Sequence, residues 1–232
     1  MNDNAQNLSL FNGASLARGR THEAFGTGAR AFAAMAAAGA NAPAANASGK
    51  EAVVWIREAQ DRRRLNPLGL ADFIDPARVL LAECERPLDV LWTMEEALRL
   101  GPAALVIAEL ARPPDLKVSR RLQLAAEAGA CLGLCLVDDT PVANAAETRW
   151  FCAPAPAGDD PDSTRWRLSL IKNKKGTLGA WEIEWDAEAR AIAVVQRIAG
   201  GPDGAVGGPF GPHGAVRRRR GGEERASALF PE

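Results

Sequence analysis

Gly26 and Gly28 stand in "HEAFGTGARAF" (22–32), where an apolar stretch meets a glycine-containing turn and then an alanine-rich segment. Strand, glycine turn and helix in that order are how a chain cradles phosphate. Successive backbone N–H groups and the helix N-terminus point at the anion, a lysine neutralises the outer phosphates, and a following Ser or Thr binds magnesium. Set against G-x-x-x-x-G-K-[ST] from Gly26, the second glycine, the lysine and the hydroxyl fall on Ala31, Phe32 and Ala33. All three positions fail. Arg30 is the turn's only cation, and its bulky fork comes two positions early.

Other residue types with chemical capacity are scattered. Glu109 closes the apolar run "AALVIAEL" (103–110), where a carboxylate can hold a metal ion or simply face solvent. "SGKE" (48–51) has Ala44 where a phosphate loop needs glycine and Glu51 where it needs a hydroxyl, so it reads as a loop fragment. Lys172, Lys174 and Lys175 lie beside Gly176 in a hairpin-like turn, as a solvated charge run or as an edge facing a protein or DNA. His22 and His213 are too isolated for nucleophilic or metal chemistry. Trp55, Trp92, Trp166, Trp181 and Trp185 are expected to pack, while Trp150 and Trp166, next to arginines, could stack on bases.

The elements that must position these groups are legible as alternating apolar runs and amphipathic stretches from residue 20 onward. "AVVWIRE" (52–58), "RVLLAEC" (78–84), "AALVIAEL" (103–110) and "CLGLCLV" (131–137) predict buried strands. "PLDVLWTMEEALRL" (87–100) predicts a helix with Leu88, Leu91, Trp92, Glu95 and Leu98 towards a sheet, and "LKVSRRLQLAAEAGA" (116–130) a second helix ended by glycine. Repeated β-α units with continuously apolar strands imply an α/β fold, a mostly parallel sheet with helices on both faces. After residue 140, "TRWFCAPA" (148–155), "RWRLSLIKN" (165–173), "AWEIEWD" (180–186) and "AIAVVQR" (191–197) alternate residue by residue and predict antiparallel strands extending one side.

With 232 residues, 47% of them hydrophobic, the chain can bury one large core. The expected organisation is a flexible segment over 1–19, a core domain over 20–198 containing an exposed loop at 39–50, and a disordered Gly/Pro/Arg-rich tail over 199–232. A net charge of −1 excludes an overall electrostatic footprint for nucleic acid or membrane, so any such contact must be local. No apolar run approaches the roughly 20 residues of a membrane span, and "MNDNAQNLSLF" lacks the pattern of a secretory signal; a cytoplasmic protein is expected. Cys84, Cys131, Cys135 and Cys152 lie in or beside apolar segments without metal-binding spacing, so buried free thiols are expected and no metal site.

The order "GASLARGRTHEAFGTGARAF", "VVWIRE", "DPARVLLAECERPLDVLWTMEEALRLGPAALVIAEL" and "RWRLSLIKNKKGTLGAWEIEWD" resembles the ImuA family, RecA-like proteins of bacterial damage-inducible mutagenesis, over residues 13–197. The resemblance implies a RecA-like core of the P-loop NTPase type. It also implies partners: the Y-family-polymerase-like ImuB and an error-prone polymerase of the DnaE type, which together copy past damaged template during the SOS response. Gly26 matches the glycine opening the RecA phosphate loop, and Glu109 the acidic residue ending the magnesium-site strand. Lys172 and Lys174 look like paired lysines that reach a nucleotide held by a neighbouring subunit in RecA filaments. Glu58 lies near the RecA catalytic carboxylate, with Arg57 interrupting the acidic pattern.

Both ends carry further motifs. "QNLSLF" (6–11) resembles peptides that dock on the bacterial sliding clamp, with Gln6, Leu10 and Phe11 as anchors; the plainer expectation is an N-terminal strand or a frayed end. Arg217, Arg218, Arg219 and Arg220 could grip single-stranded DNA or an acidic surface, or solubilise a tail. The reading that results is a non-catalytic accessory protein of translesion synthesis with no cofactor, in which RecA itself is a further candidate partner. Two alternatives stand beside it. One is an atypical ATPase using Mg·ATP, with Arg30 in place of lysine. The other is a cell-division inhibitor of the SulA kind.

Overall fold

The alternation of strand and helix carries through to three dimensions in the computed structural model, which describes residues 7–41, 52–101, 103–138, 142–156 and 164–198. In chain order the elements are β1 (Asn7–Phe11), β2 (Ala14–Ala17), β3 (Thr21–Phe25), α1 (Ala29–Asn41), β4 (Val53–Glu58), α2 (Pro67–Ala71), β5 (Val79–Cys84) and α3 (Pro87–Leu100). They continue with β6 (Leu105–Leu110), α4 (Leu116–Ala128), β7 (Gly133–Val137), β8 (Thr148–Ala155), β9 (Arg165–Asn173), β10 (Gly179–Asp186) and β11 (Ala191–Ile198). A 3-10 turn, Pro76–Arg78, precedes β5.

Nine strands form one sheet in the order β11-β10-β9-β8-β3-β7-β6-β4-β5. From β8 to β5 every neighbouring pair is parallel, and from β8 to β11 every pair is antiparallel. The expected α/β architecture, mostly parallel with antiparallel strands added at one side, is therefore the one observed. β6 and β7 are buried along their whole length because they lie centrally between helical layers, which is why they read as unbroken apolar runs.

Two cores sandwich the sheet. On one face Phe32 and Met35 of α1 meet Trp55, Ile107 and Leu134; on the other Val90, Met94 and Leu98 of α3 and Leu122 of α4 meet Ile56, Val106 and Cys135. On the α1 face an aromatic chain runs Phe11–Trp181–Trp150–Phe32, with centroids 5.2, 6.1 and 5.3 Å apart. Those separations suit edge-on and tilted ring packing. Trp150 and Trp166 are thus core residues and offer no face to a nucleic-acid base.

Several expectations are corrected. Residues 7–17, placed in a flexible segment, form an antiparallel hairpin whose Leu8 and Leu16 are buried against the α1 face. The proposed loop at 39–50 begins later, since α1 continues through Asn41; residues 42–51 lie outside those described. Among the described residues no strand pairs beyond β5, which is an edge strand with Leu80 and Leu81 exposed. On α3 the buried stripe is Val90, Met94, Glu95 and Leu98, while Leu88 and Trp92 are 69% and 65% exposed. Apolar residues on both sides of this helix gave two possible stripes, and packing against α4 and β6 selects the one at i, i+4, i+8.

Candidate functional site

Only Gly26, Thr27 and Gly28 separate Phe25 of β3 from Ala29 of α1. Gly26 has φ +95°, and a Cβ there would lie 2.4 Å from the Cys152 carbonyl oxygen; at Gly28 a Cβ would lie 3.0 Å from the Ala153 nitrogen. The Gly28 N–H donates to Cys152 O at 2.9 Å and the Ala29 N–H to Gly26 O at 3.1 Å. The glycines let the turn lie directly on the backbone of β8, and amides that would face an anion in a longer loop are bonded to carbonyls.

Arg30, the first-turn cation of α1, reaches inward over the carboxyl ends of the parallel strands. Its guanidinium is 2.5 Å from Glu109 Oε2, donates to Arg63 O at 2.7 Å and lies 3.5 Å from Asp61 Oδ2. The other Glu109 oxygen accepts from Trp55 Nε1 at 2.8 Å, and the residue is 8% exposed. Gly26, Gly28, Arg30 and Glu109 are therefore brought to one end of the sheet. There Glu109 holds a guanidinium and an indole.

The loop after β4 completes this cluster. Arg63 donates to Asp61 and to Asp138 Oδ1, each at 2.8 Å, and its hydrogen bond, more than any other influence, holds the Asp61 carboxyl down to about 2. Arg57 is buried in β4, in register with Glu83 of β5, and lies 3.6 Å from that carboxylate. Arg64 pairs with the same Glu83. Four guanidiniums (Arg30, Arg57, Arg63, Arg64) and four carboxylates (Asp61, Glu83, Glu109, Asp138) thus pair within one cluster, although the buried Nε and Nη1 of Arg57 make no hydrogen bond among the described residues. Glu58, at the end of β4, accepts from Gln60 Nε2 at 2.8 Å.

The opening left at this end is about 170 Å³ and is lined by Glu58, Asp61, Glu109 and Asp138 with Arg63 as its cation. Such a lining repels a polyanion at close range. Arg57, Asp61, Arg63 and Asp138 were not foreseen as a group. The adjacent arginines of "DRRR" (61–64) were the available signal, but which carboxylates they meet depends on the loop's path.

The three lysines are elsewhere. β9 runs antiparallel to β8, with Thr148 opposite Asn173, so the "KNKK" turn sits at the amino ends of β3 and β8, opposite the Arg30–Glu109 cluster. Lys172 Nζ donates to Asn144 O at 2.8 Å and Lys174 Nζ to Ala145 O at 2.7 Å. Burial first, and then the nearby charges of Arg149 and Lys174, lower the Lys172 ammonium below its usual range. Lys174 and Lys175 line an open groove of about 730 Å³ with Arg20 and Arg120.

Leu10 and Phe11 lie in β1, and the Phe11 ring is buried edge-on against Trp181, inside the core. Gln6 lies outside the described residues, as do Arg217, Arg218, Arg219 and Arg220. Cys131, Cys135 and Cys152 are buried free thiols, and Cys84 is half-buried.

No family model matches the chain. Among curated proteins it is 32% identical over 149 residues to Protein ImuA of Caulobacter vibrioides strain NA1000 / CB15N, and equally to that of strain ATCC 19089 / CIP 103742 / CB 15. The match spans 57% of this chain and 60% of the relatives' length. The chain is therefore similar to Protein ImuA across part of its length, and the ordered motifs that resemble the ImuA family run through β2–α1, β4, β5–β6 and β9–β10.

Proposed function

We propose that this protein is a non-catalytic, RecA-like accessory factor of damage-inducible mutagenesis. It would dock with the Y-family-polymerase-like ImuB and a DnaE-type polymerase and hold or regulate their assembly in the cytoplasm. The similarity to Protein ImuA supports the mutagenesis setting. Among the described residues no helix is long and apolar enough to cross a membrane.

The observation that carries the non-catalytic part is the Arg30–Glu109 contact. An ATPase of this shape needs a lysine free to meet phosphate and a carboxylate free to meet magnesium. Here the only cation of the turn and the strand-end carboxylate neutralise each other at 2.5 Å. Deeper in the turn, Gly28 N–H is bonded to Cys152 O. A fold that retains this architecture without the phosphate site contributes through its surfaces.

Two measurements test this. Equilibrium binding of a labelled ATP analogue with magnesium is expected to give no saturable signal at millimolar concentration. Capture of the full chain's partners from damage-treated cells is expected to yield ImuB. ATP turnover stimulated by DNA and abolished by Glu109→Gln would replace the proposal with an ATPase, and co-purification with the division tubulin would replace it with a division inhibitor.

A further inference from the structure

The groove at the amino ends of β3 and β8 has no part in the cluster around Arg30, and its chemistry is distinct. Arg20 enters it from the start of β3, Arg120, Leu124 and Glu127 from one face of α4, and Lys174 and Lys175 from the β9–β10 turn. Four cations face two carboxylates, Glu127 and Glu147, leaving an excess of two positive charges on a chain whose net charge is −1. Arg20 pairs with Glu127 at 3.1 Å, and Lys174 lies 3.9 Å from Glu147. Among the described residues the side chains of Arg120 and Lys175 have no acceptor, and both are exposed. Leu124, which lines the same groove, is 65% exposed, an apolar side chain among its cations.

We propose that this groove docks an acidic peptide segment of a protein partner, its carboxylates meeting Arg120 and Lys175 and an apolar side chain resting on Leu124. A concave surface with a net excess of positive charge concentrates its field on an incoming anion. The volume falls within the roughly 300–1,000 Å³ of a ligand site. Nucleic acid fits less well for two reasons. Among the described residues no aromatic side chain lines the groove, so bases have no stacking platform there. Glu127 and Glu147 interrupt the cations where a run of phosphates would pass, whereas a peptide carries separated charges and an apolar anchor. This inference does not depend on the accessory role, because a synthetic peptide tests it without any polymerase present.

The test is fluorescence anisotropy with the full chain and a labelled peptide of glutamates and aspartates around a central leucine. Its leucine-free analogue and an oligothymidylate serve as the other probes. Saturable, salt-sensitive binding of the leucine peptide is expected. Reversal of both unpartnered cations, R120E with K175E, is expected to weaken it about tenfold without altering thermal melting. Leu124→Ser is expected to weaken the leucine peptide and leave its leucine-free analogue unchanged. Binding by the doubly reversed protein equal to wild type would overturn the proposal, as would absence of saturable peptide binding or tighter binding of the oligothymidylate.

Discussion

The Arg30 guanidinium rests 2.5 Å from a Glu109 carboxylate whose other oxygen accepts from Trp55 Nε1, so the start of α1 and the end of the central strand β6 are joined by charge. Glu109 is almost inaccessible, and a carboxylate there is tolerable because both oxygens are satisfied. The same contact ties this end of the sheet into the ion-pair cluster around Asp61 and Arg63.

Removing Arg30 should therefore destabilise the fold. Arg30→Ala is expected to cost about 1–3 kcal/mol in urea unfolding, less than a fully buried pair because Arg30 is partly exposed. Arg30→Lys, which introduces an ammonium group, is expected to confer no saturable binding of Mg·ATP in equilibrium dialysis, since Ala31, Phe32 and Ala33 are unchanged.

Gly26 is held by contact with β8. Gly26→Ala adds a Cβ 2.4 Å from Cys152 O at φ +95°, and a loss of about 2–4 kcal/mol is expected by chemical denaturation. Gly69→Ala is the control. Its Cβ would meet only Asn66 Nδ2 at 3.8 Å within α2, and stability should hold or rise by up to about 1 kcal/mol.

His22 makes stability depend on pH. Its Nε2 lies 3.0 Å from Ala17 O, which can only accept, so Nε2 carries the proton and Nδ1 accepts from Thr148 Oγ1 at 2.7 Å; that hydroxyl oxygen in turn accepts from Trp150 Nε1. Burial lowers the imidazole to about 4 from an ordinary value of 6.5. The unfolded chain therefore binds the proton more readily than the folded one. This contribution is complete above about pH 6.5 and is lost as pH falls towards 4, on the order of 3 kcal/mol at most. Urea midpoints measured from pH 7 to pH 4 should fall in wild type and fall less steeply in His22→Gln.

Thiol titration separates the four cysteines. Burial raises the Cys135 and Cys152 thiols far above their usual range, and Cys131 is equally enclosed. Only the half-buried Cys84 is expected to react with Ellman's reagent in the native protein, and all four after denaturation.

Much of the fold was legible because each element advertises its environment. "LVIAEL" and "GLCLV" are apolar on both sides of the strand, which only a doubly covered sheet explains. "RWRLSLIKN" and "GAWEIEWD" alternate as strands of the antiparallel side do. The edge position of "VLLAEC" was not legible, since an apolar strand reads alike whether or not a neighbour covers it. Trp92 was misplaced for a related reason: α3 carries apolar residues beyond its core stripe, and periodicity alone could not choose between them.

The residue types by themselves determined that the lysine and hydroxyl positions of a phosphate loop counted from Gly26 hold Phe32 and Ala33, because those are facts of composition at fixed spacing. Tertiary structure decided what replaced them. Arg30 lies 79 residues from Glu109 and 31 from Asp61, and the loop carrying Arg63 closes over both. Tertiary structure also sent Lys174 to the opposite end of the sheet beside Arg20 and Arg120. Ion pairs and grooves form between segments that meet only when the strand order is set, and that order is chosen by burial of whole faces, which no local run of residues encodes.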